Sequence, residues 1–150
     1  MTVLDVNTGE EVAALSGKFE PSVFASYINQ IGLYYFNASA LIERNNHGHA
    51  VILWMRDNGS LFLIYGWDQK VGWLSNSRGK ALLYDGVADA LRDGTTTIHS
   101  FATYTQLGSI EGATLRAPEG EHDDRADSYG LAEQGRANSG HVGQLQDLDL

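Results

Sequence analysis

Residues 41–54, LIERNNHGHAVILW, place an acid, a base, two amides and two imidazoles between two apolar segments. The segment SALIE (39–43) is short and apolar, which is typical of a buried strand whose carboxyl end emerges at Glu43. From about Gly48 to a stop near Asn58, the pattern predicts a helix. The polar stretch is therefore predicted to be a turn between a strand and a helix.

The segments on either side of this turn alternate in the same way. The turn NTGE separates two β-prone runs at the start of the chain, which indicates a hairpin or a bulged long strand. Apolar residues at helical spacing predict a helix over about 21–35. Further strand patterns lie at 60–65, 95–100 and 112–118, and further helical patterns at 77–94, 101–109 and 121–134. This alternation predicts an α/β fold with a mixed sheet flanked by helices.

The composition is that of a globular protein with 150 residues, of which 43% are hydrophobic. We predict one domain over residues 1–134, and a disordered tail over 135–150 because that segment is rich in Gly, Ser, Asn and Gln. No apolar run approaches the roughly 18 residues that span a bilayer, and no secretory leader pattern is present. We therefore expect a soluble, cytoplasmic protein without a membrane partner.

The net charge of −9 comes from 19 acidic and 10 basic residues. Such a field repels a polyanion, which disfavours general nucleic-acid coating but leaves a metal-dependent nuclease open, because a metal site needs clustered carboxylates. The chain has no cysteine, so carboxylates, amides or histidines would have to hold any metal. Motifs for acyl transfer, dinucleotide binding and ATP hydrolysis are absent from the sequence.

The candidates for a catalytic or metal-binding role are Glu43 and the acidic residues of segment 120–126. Glu43 is either a functional carboxylate at a strand end or a turn residue that pairs with Arg44 or solvent. In GEHDDRA (120–126), Asp123 and Asp124 stand at a predicted helix start, where an acidic residue stabilises the helix by roughly 0.3–1 kcal/mol. That role explains one or two of the acidic residues, whereas a divalent cation such as Mg²⁺ or Mn²⁺ would relieve the repulsion among all of them.

Four segments, in order, resemble the C-terminal nuclease domain of the large terminase subunit of tailed bacteriophages, which packages DNA and cuts it. They are TGEEVAALSGKFEPSVFASYI (8–28), ALIERNNHGHAVI (40–52), GWLSNSRGKALL (72–83) and GEHDDRADSYGLA (120–132). The resemblance implies an RNase H-like fold and endonucleolytic cleavage of double-stranded DNA by two divalent metal ions, Mg²⁺ or Mn²⁺.

By the same resemblance, Glu43, Asp123 and Asp124 are catalytic residues and metal ligands. Asn45 either fixes the turn or contacts DNA, and Lys80 contacts DNA. The implied partners are double-stranded DNA and the terminase ATPase domain, the small terminase subunit or the portal, in the bacterial host cytoplasm.

The family's first metal-binding Asp lies on a strand that precedes the stretch resembling VLDVNTGEEVA (3–13). We therefore expect the chain to lack that first strand, to lack the ATPase domain, and to be impaired in cutting DNA alone. A non-catalytic remnant or assembly module that binds other packaging proteins is the alternative. A third interpretation is that only the fold is shared, and that the polar turn serves another hydrolase or a small-molecule site.

Overall fold

The computed structural model describes residues 1–146, which form an α/β arrangement of five helices and a two-stranded antiparallel sheet. The strands are β1 (Thr2–Leu4) and β2 (Glu11–Ala14). The helices are α1 (Pro21–Tyr34), α2 (Asn46–Asn58), α3 (Ser77–Arg92), α4 (Phe101–Ser109) and α5 (Asp124–Gln146). None of these helices is both long and apolar enough to cross a membrane, within the part of the chain that the structure describes.

The residues predicted to form one domain fall into two compact units. Unit 1 consists of Met1–Ser16 together with the chain from Lys80 onward, and unit 2 is Gly17–Gly79. Each unit has buried apolar residues of its own. Those of unit 1 include Leu83, Val87, Ala90, Ala126 and Tyr129, and those of unit 2 include Ala25, Ile28, Ile42, Val51, Met55, Leu61, Ile64 and Trp73.

In unit 1, β1 and β2 form the predicted hairpin. They pair antiparallel with a register shift between Val3 and Leu4, which is a bulge. In the connecting turn, the Asp5 carboxylate accepts the backbone N–H groups of Thr8 and Asn7, both at 2.8 Å. These hydrogen bonds hold the pKa of Asp5 below its usual range. The Asp5 side chain therefore stabilises the turn.

Two strands predicted in unit 1 are much reduced. Over 95–100 there is a single parallel bridge, between Thr97 and Glu10. Over 112–118 the chain makes turns, with an antiparallel bridge between Glu111 and Arg116 and a left-handed backbone at Leu115 (φ 55°). A left-handed residue interrupts the extended backbone of a regular strand, so this segment forms turns where a strand was predicted.

Helix α5 packs against β1 and α4. It extends beyond the predicted start of the tail at residue 135, because Arg136 pairs with Glu133 (N–O 2.9 Å) and Gly135 is buried within the helix. The last residues of the predicted tail, 147–150, lie outside the described residues.

In unit 2, α1 packs against α2. The predicted helix over 21–35 is confirmed, with Pro21 in its first turn and Ala25, Ile28 and Gly32 buried. Val23 and Tyr27 are exposed, so the apolar residues of this helix are not all on its buried face. Small residues at 25 and 32 allow the helix to lie close to its neighbours. If residue 32 carried a Cβ, that atom would lie 2.2 Å from the Leu61 side chain.

The predicted strands at 39–43 and 60–65 are extended segments joined by isolated bridges. Ala40 pairs with Leu63 and Glu43 pairs with Trp73, both in parallel orientation. Each pairing comprises two backbone hydrogen bonds before the chain turns, so no continuous ladder forms. The parallel orientation agrees with a mixed arrangement, whereas the regular sheet in the described residues is the β1–β2 hairpin alone.

Candidate metal and nucleic-acid site

In unit 2, Glu43 stands at the end of the extended segment 40–43. The backbone on either side of it is fixed, because Trp73 donates its N–H to Ile42 O at 2.8 Å and Arg44 donates to Trp73 O at 2.7 Å. The half-buried Glu43 carboxylate accepts a hydrogen bond from Asn45 Nδ2 at 2.8 Å. The strand end predicted from the sequence is therefore an ordered position for a carboxylate.

Asn45 fixes the turn that follows. Its Oδ1 accepts the N–H of Gly48 at 2.7 Å, which caps the N-terminus of α2, while its amide nitrogen reaches back to Glu43. A Cβ at Gly48 would lie 1.7 Å from Glu43 O, so this close turn requires glycine. The predicted turn-fixing role of Asn45 is confirmed, and its contact with DNA stays a prediction.

Arg44 pairs with Asp68 rather than with its neighbour Glu43. The two side chains form an ion pair and are mostly buried, with 12% and 17% of their surfaces exposed. The hydrogen bond from Arg44 holds the pKa of Asp68 below its usual range. This pair ties the segment after Glu43 to the loop at 68, and sequence reasoning did not identify it.

In unit 1, Lys80 on α3 lies between two carboxylates of the chain around the start of α5. Its Nζ is 2.8 Å from Asp123 Oδ2 and 2.9 Å from Asp127 Oδ2. All three side chains are largely buried, with exposed fractions of 18%, 26% and 13% in that order. Tyr84 OH donates to the other oxygen of Asp127 at 2.5 Å.

Helical spacing accounts for this cluster. Lys80 and Tyr84 are four residues apart on α3, and Asp123 and Asp127 are four apart where α5 begins, so each pair lies on one helix face. Burial opposes the charged form of Lys80, but its hydrogen bonds with Asp123 and Asp127 outweigh that effect and raise its pKa. The ammonium is therefore firmly held in its charged state.

Asp124 occupies the first turn of α5 and is exposed. The N–H groups at this helix start are not capped by the acidic residues alone. Gln106 Oε1, from α4, accepts the N–H of Arg125 at 2.8 Å and that of Ala126 at 3.4 Å. Gln106 therefore caps these donors, and the exposed Asp124 acts on this helix start through its charge alone.

A cleft of about 330 Å³ opens beside the Lys80 cluster. It is lined by Lys80, Arg116, Ala117, Glu121 and Asp123, all from unit 1. Arg116 and Glu121 are exposed, so the cleft presents side chains of both charges to solvent. A ligand entering it would meet both Arg116 and Asp123, which line it.

The predicted site residues thus occupy two settings. Glu43 and Asn45 are joined in unit 2, and Lys80 and Asp123 are joined in unit 1, where Asp124 also lies. Sequence reasoning missed Asp127 and Tyr84, although their i, i+4 spacing to Asp123 and Lys80 was a usable signal. In neither unit do three or more His, Asp or Glu side chains of the described chain form a ready-made metal cluster. The metal role of Glu43, Asp123 and Asp124 stays a prediction.

No protein-family model matches the chain, and no curated protein sequence matches it.

Proposed function

We propose that this chain is a terminase-type nuclease domain with an RNase H-like fold, which cleaves double-stranded DNA with Mg²⁺ or Mn²⁺ during genome packaging in a bacterial host. One observation carries the proposal beyond resemblance. The carboxylates of Asp123 and Asp127 converge on one cationic group at the wall of an open polar cleft.

The residues present fit a hard divalent cation. Carboxylate oxygens are the protein ligands that Mg²⁺ and Mn²⁺ prefer. Asp123 Oδ2 and Asp127 Oδ2 both lie within 2.9 Å of Lys80 Nζ, so two such oxygens already surround one cation position. When bound, the metal would supply positive charge that activates water and stabilises the developing charge on the phosphate.

The chain's own residues would bind and orient the DNA. In unit 1, Asp123 and Asp127 would hold the metal, and Asp124 is a further candidate ligand at the start of α5. In unit 2, the resemblance makes Glu43 a candidate ligand, and the Asn45 hydrogen bond orients its carboxylate. Arg116, exposed in the cleft, can contact a backbone phosphate. Such a local cation is needed because the net charge of −9 repels DNA as a whole.

A plasmid-nicking assay tests the proposal. We expect the chain to nick supercoiled DNA slowly with Mn²⁺ or Mg²⁺, in keeping with the impaired cutting expected from the sequence, and to stop when EDTA is added. Glu43→Gln, Asp123→Asn and Asp124→Asn should each lower the rate about 100-fold or more, because removing a single catalytic carboxylate is enough to abolish most of the activity. Asp85→Asn, which removes an exposed carboxylate on α3, is the matched control and should cut like the parent.

Thermal unfolding gives a readout that does not depend on activity. A metal that binds only the folded chain stabilises it by about 2.7 kcal/mol at 100 times its Kd. Mn²⁺ should therefore raise the Tm of the parent and of Asp85→Asn, but not that of Asp123→Asn. If millimolar Mn²⁺ neither raised the Tm nor supported nicking, the proposed function would be wrong.

A further inference from the structure

Resting on the proposed function, we infer that Lys80 regulates metal binding at this site: its ammonium occupies the cation position between Asp123 and Asp127, so a divalent ion binds there only when Lys80 leaves. The geometry supports this directly, because Nζ contacts one oxygen of each carboxylate at 2.8 and 2.9 Å. A metal that used the same two oxygens would need the same space.

Charge explains why the position is filled. Two carboxylates four residues apart on one helix face repel each other, and here they are largely buried, so water screens them poorly. The folded chain needs a cation between them, and Lys80 supplies one from α3. Without Lys80 the pair would carry two uncompensated negative charges, which is the condition that favours a divalent ion.

The cleft provides space for the Lys80 ammonium when it leaves the two carboxylates. Lys80 lines the cleft of about 330 Å³, and its flexible four-carbon stem allows Nζ to move from the carboxylates toward that open space. Asp127 keeps its hydrogen bond from Tyr84 at 2.5 Å, so its carboxylate stays oriented when the lysine leaves. The metal and Lys80 therefore compete for the carboxylates of Asp123 and Asp127.

Calorimetric titration of the full chain with Mn²⁺ tests this competition. Lys80→Gln removes the charge but keeps a hydrogen-bond donor, and we expect it to bind Mn²⁺ roughly tenfold or more tightly than the parent, a difference of about 1.4 kcal/mol or more. Lys80→Arg keeps the charge and should bind like the parent. Lys70→Gln, which removes an exposed lysine, controls for the general increase in negative charge.

Further results locate the effect. Adding Asp123→Asn to Lys80→Gln should abolish the tighter binding. If Lys80→Gln is less stable than the parent, Mn²⁺ should raise its Tm by more than it raises the parent's. The inference is overturned if Lys80→Gln binds Mn²⁺ no more tightly than the parent, if Lys70→Gln gives the same increase, or if the increase survives Asp123→Asn.

The two proposals fail in different ways. Metal-dependent nicking by the parent, together with unchanged Mn²⁺ affinity in Lys80→Gln, would overturn the role of Lys80 and leave the nuclease proposal standing. No Mn²⁺ binding by either the parent or Lys80→Gln would overturn both.

Discussion

The carboxylate of Glu11 accepts the backbone N–H of Ser100 at 2.7 Å, although the two residues are 89 positions apart in the chain. The same oxygen accepts the N–H of His99 at 2.8 Å, and the other oxygen accepts the hydroxyl of Thr103 at 3.3 Å. Glu11 is only 5% exposed. A buried carboxylate on β2 therefore joins the hairpin to the start of α4. The role of Glu11 in unit 1 is structural.

We expect Glu11→Ala to destabilise the chain by about 2–3 kcal/mol, because hydrogen bonds to a carboxylate are lost and two part-buried N–H groups are left without an acceptor. Urea unfolding measures the change. Glu10→Ala is the matched control, since Glu10 is an exposed neighbour whose contact with His99 is 3.6 Å long. Equal destabilisation by the two variants would contradict the structural role of Glu11.

Tyr129 should make the chain less stable in alkali. Its hydroxyl lies 2.5 Å from Thr96 Oγ1, the side chain is fully buried, and burial raises its pKa above the ordinary value of 10.0. Above about pH 10 the unfolded chain therefore loses this proton while the folded chain keeps it, so stability falls as pH rises.

Urea unfolding at a series of alkaline pH values checks this prediction. Tyr129→Phe cannot titrate, so its stability should fall less steeply with pH than that of the parent, even though the lost hydrogen bond lowers its stability at neutral pH. Tyr104→Phe removes an exposed hydroxyl and should behave like the parent. Parallel curves for Tyr129→Phe and the parent would show that Tyr129 is not responsible.

Asn45 has two separable roles. Asn45→Ala removes the cap of α2 and should lower stability by about 1 kcal/mol. Asn45→Ser retains a capping oxygen without adding a charge beside Glu43, but it lacks the amide that donates to Glu43, so thermal unfolding should show a smaller loss. If the proposed function holds, Asn45→Ser should still cut DNA more slowly than the parent. A Ser variant as unstable as the Ala variant would contradict the capping role.

Local sequence signals predicted the helices well. Apolar residues at helical spacing indicated the helices from the sequence. The capping residues Asn45 before α2 and Ser100 before α4 act through neighbouring backbone groups, so they too could be recognised without knowledge of the fold. The strands were predicted less well. The segments 39–43 and 60–65 are extended as expected, but a strand requires a continuous partner, which the local pattern does not specify.

In the candidate site, too, the sequence indicated residues but not the partners that they contact in the fold. Glu43 and Asp123 stand where the strand-end and helix-start patterns placed them. The contact of Asp123 with Lys80 joins residues 43 positions apart, and the contact of Arg44 with Asp68 joins residues 24 apart. Such pairings depend on which helices and loops pack together. Charge and spacing within one segment therefore indicated the residues but not their partners.

The Arg44–Asp68 ion pair should limit stability in acid. The hydrogen bond from Arg44 lowers the pKa of Asp68 below 3.8, so the folded chain holds this proton less tightly than the unfolded chain. The stabilisation is therefore complete above about pH 4 and is lost as pH falls through the folded value.

Thermal unfolding between neutral and acidic pH measures the contribution of this pair. Asp68→Asn should lower the Tm at neutral pH, because it leaves the largely buried Arg44 charge without its partner, and it should flatten the fall of Tm in acid. Asp57→Asn breaks a pair with Arg56 whose side chains are 59% and 66% exposed, and such surface pairs contribute little. The loss in Asp68→Asn should therefore exceed that in Asp57→Asn. Equal losses would mean that Arg44 does not depend on Asp68, and that the segment after Glu43 is held by its backbone hydrogen bonds alone.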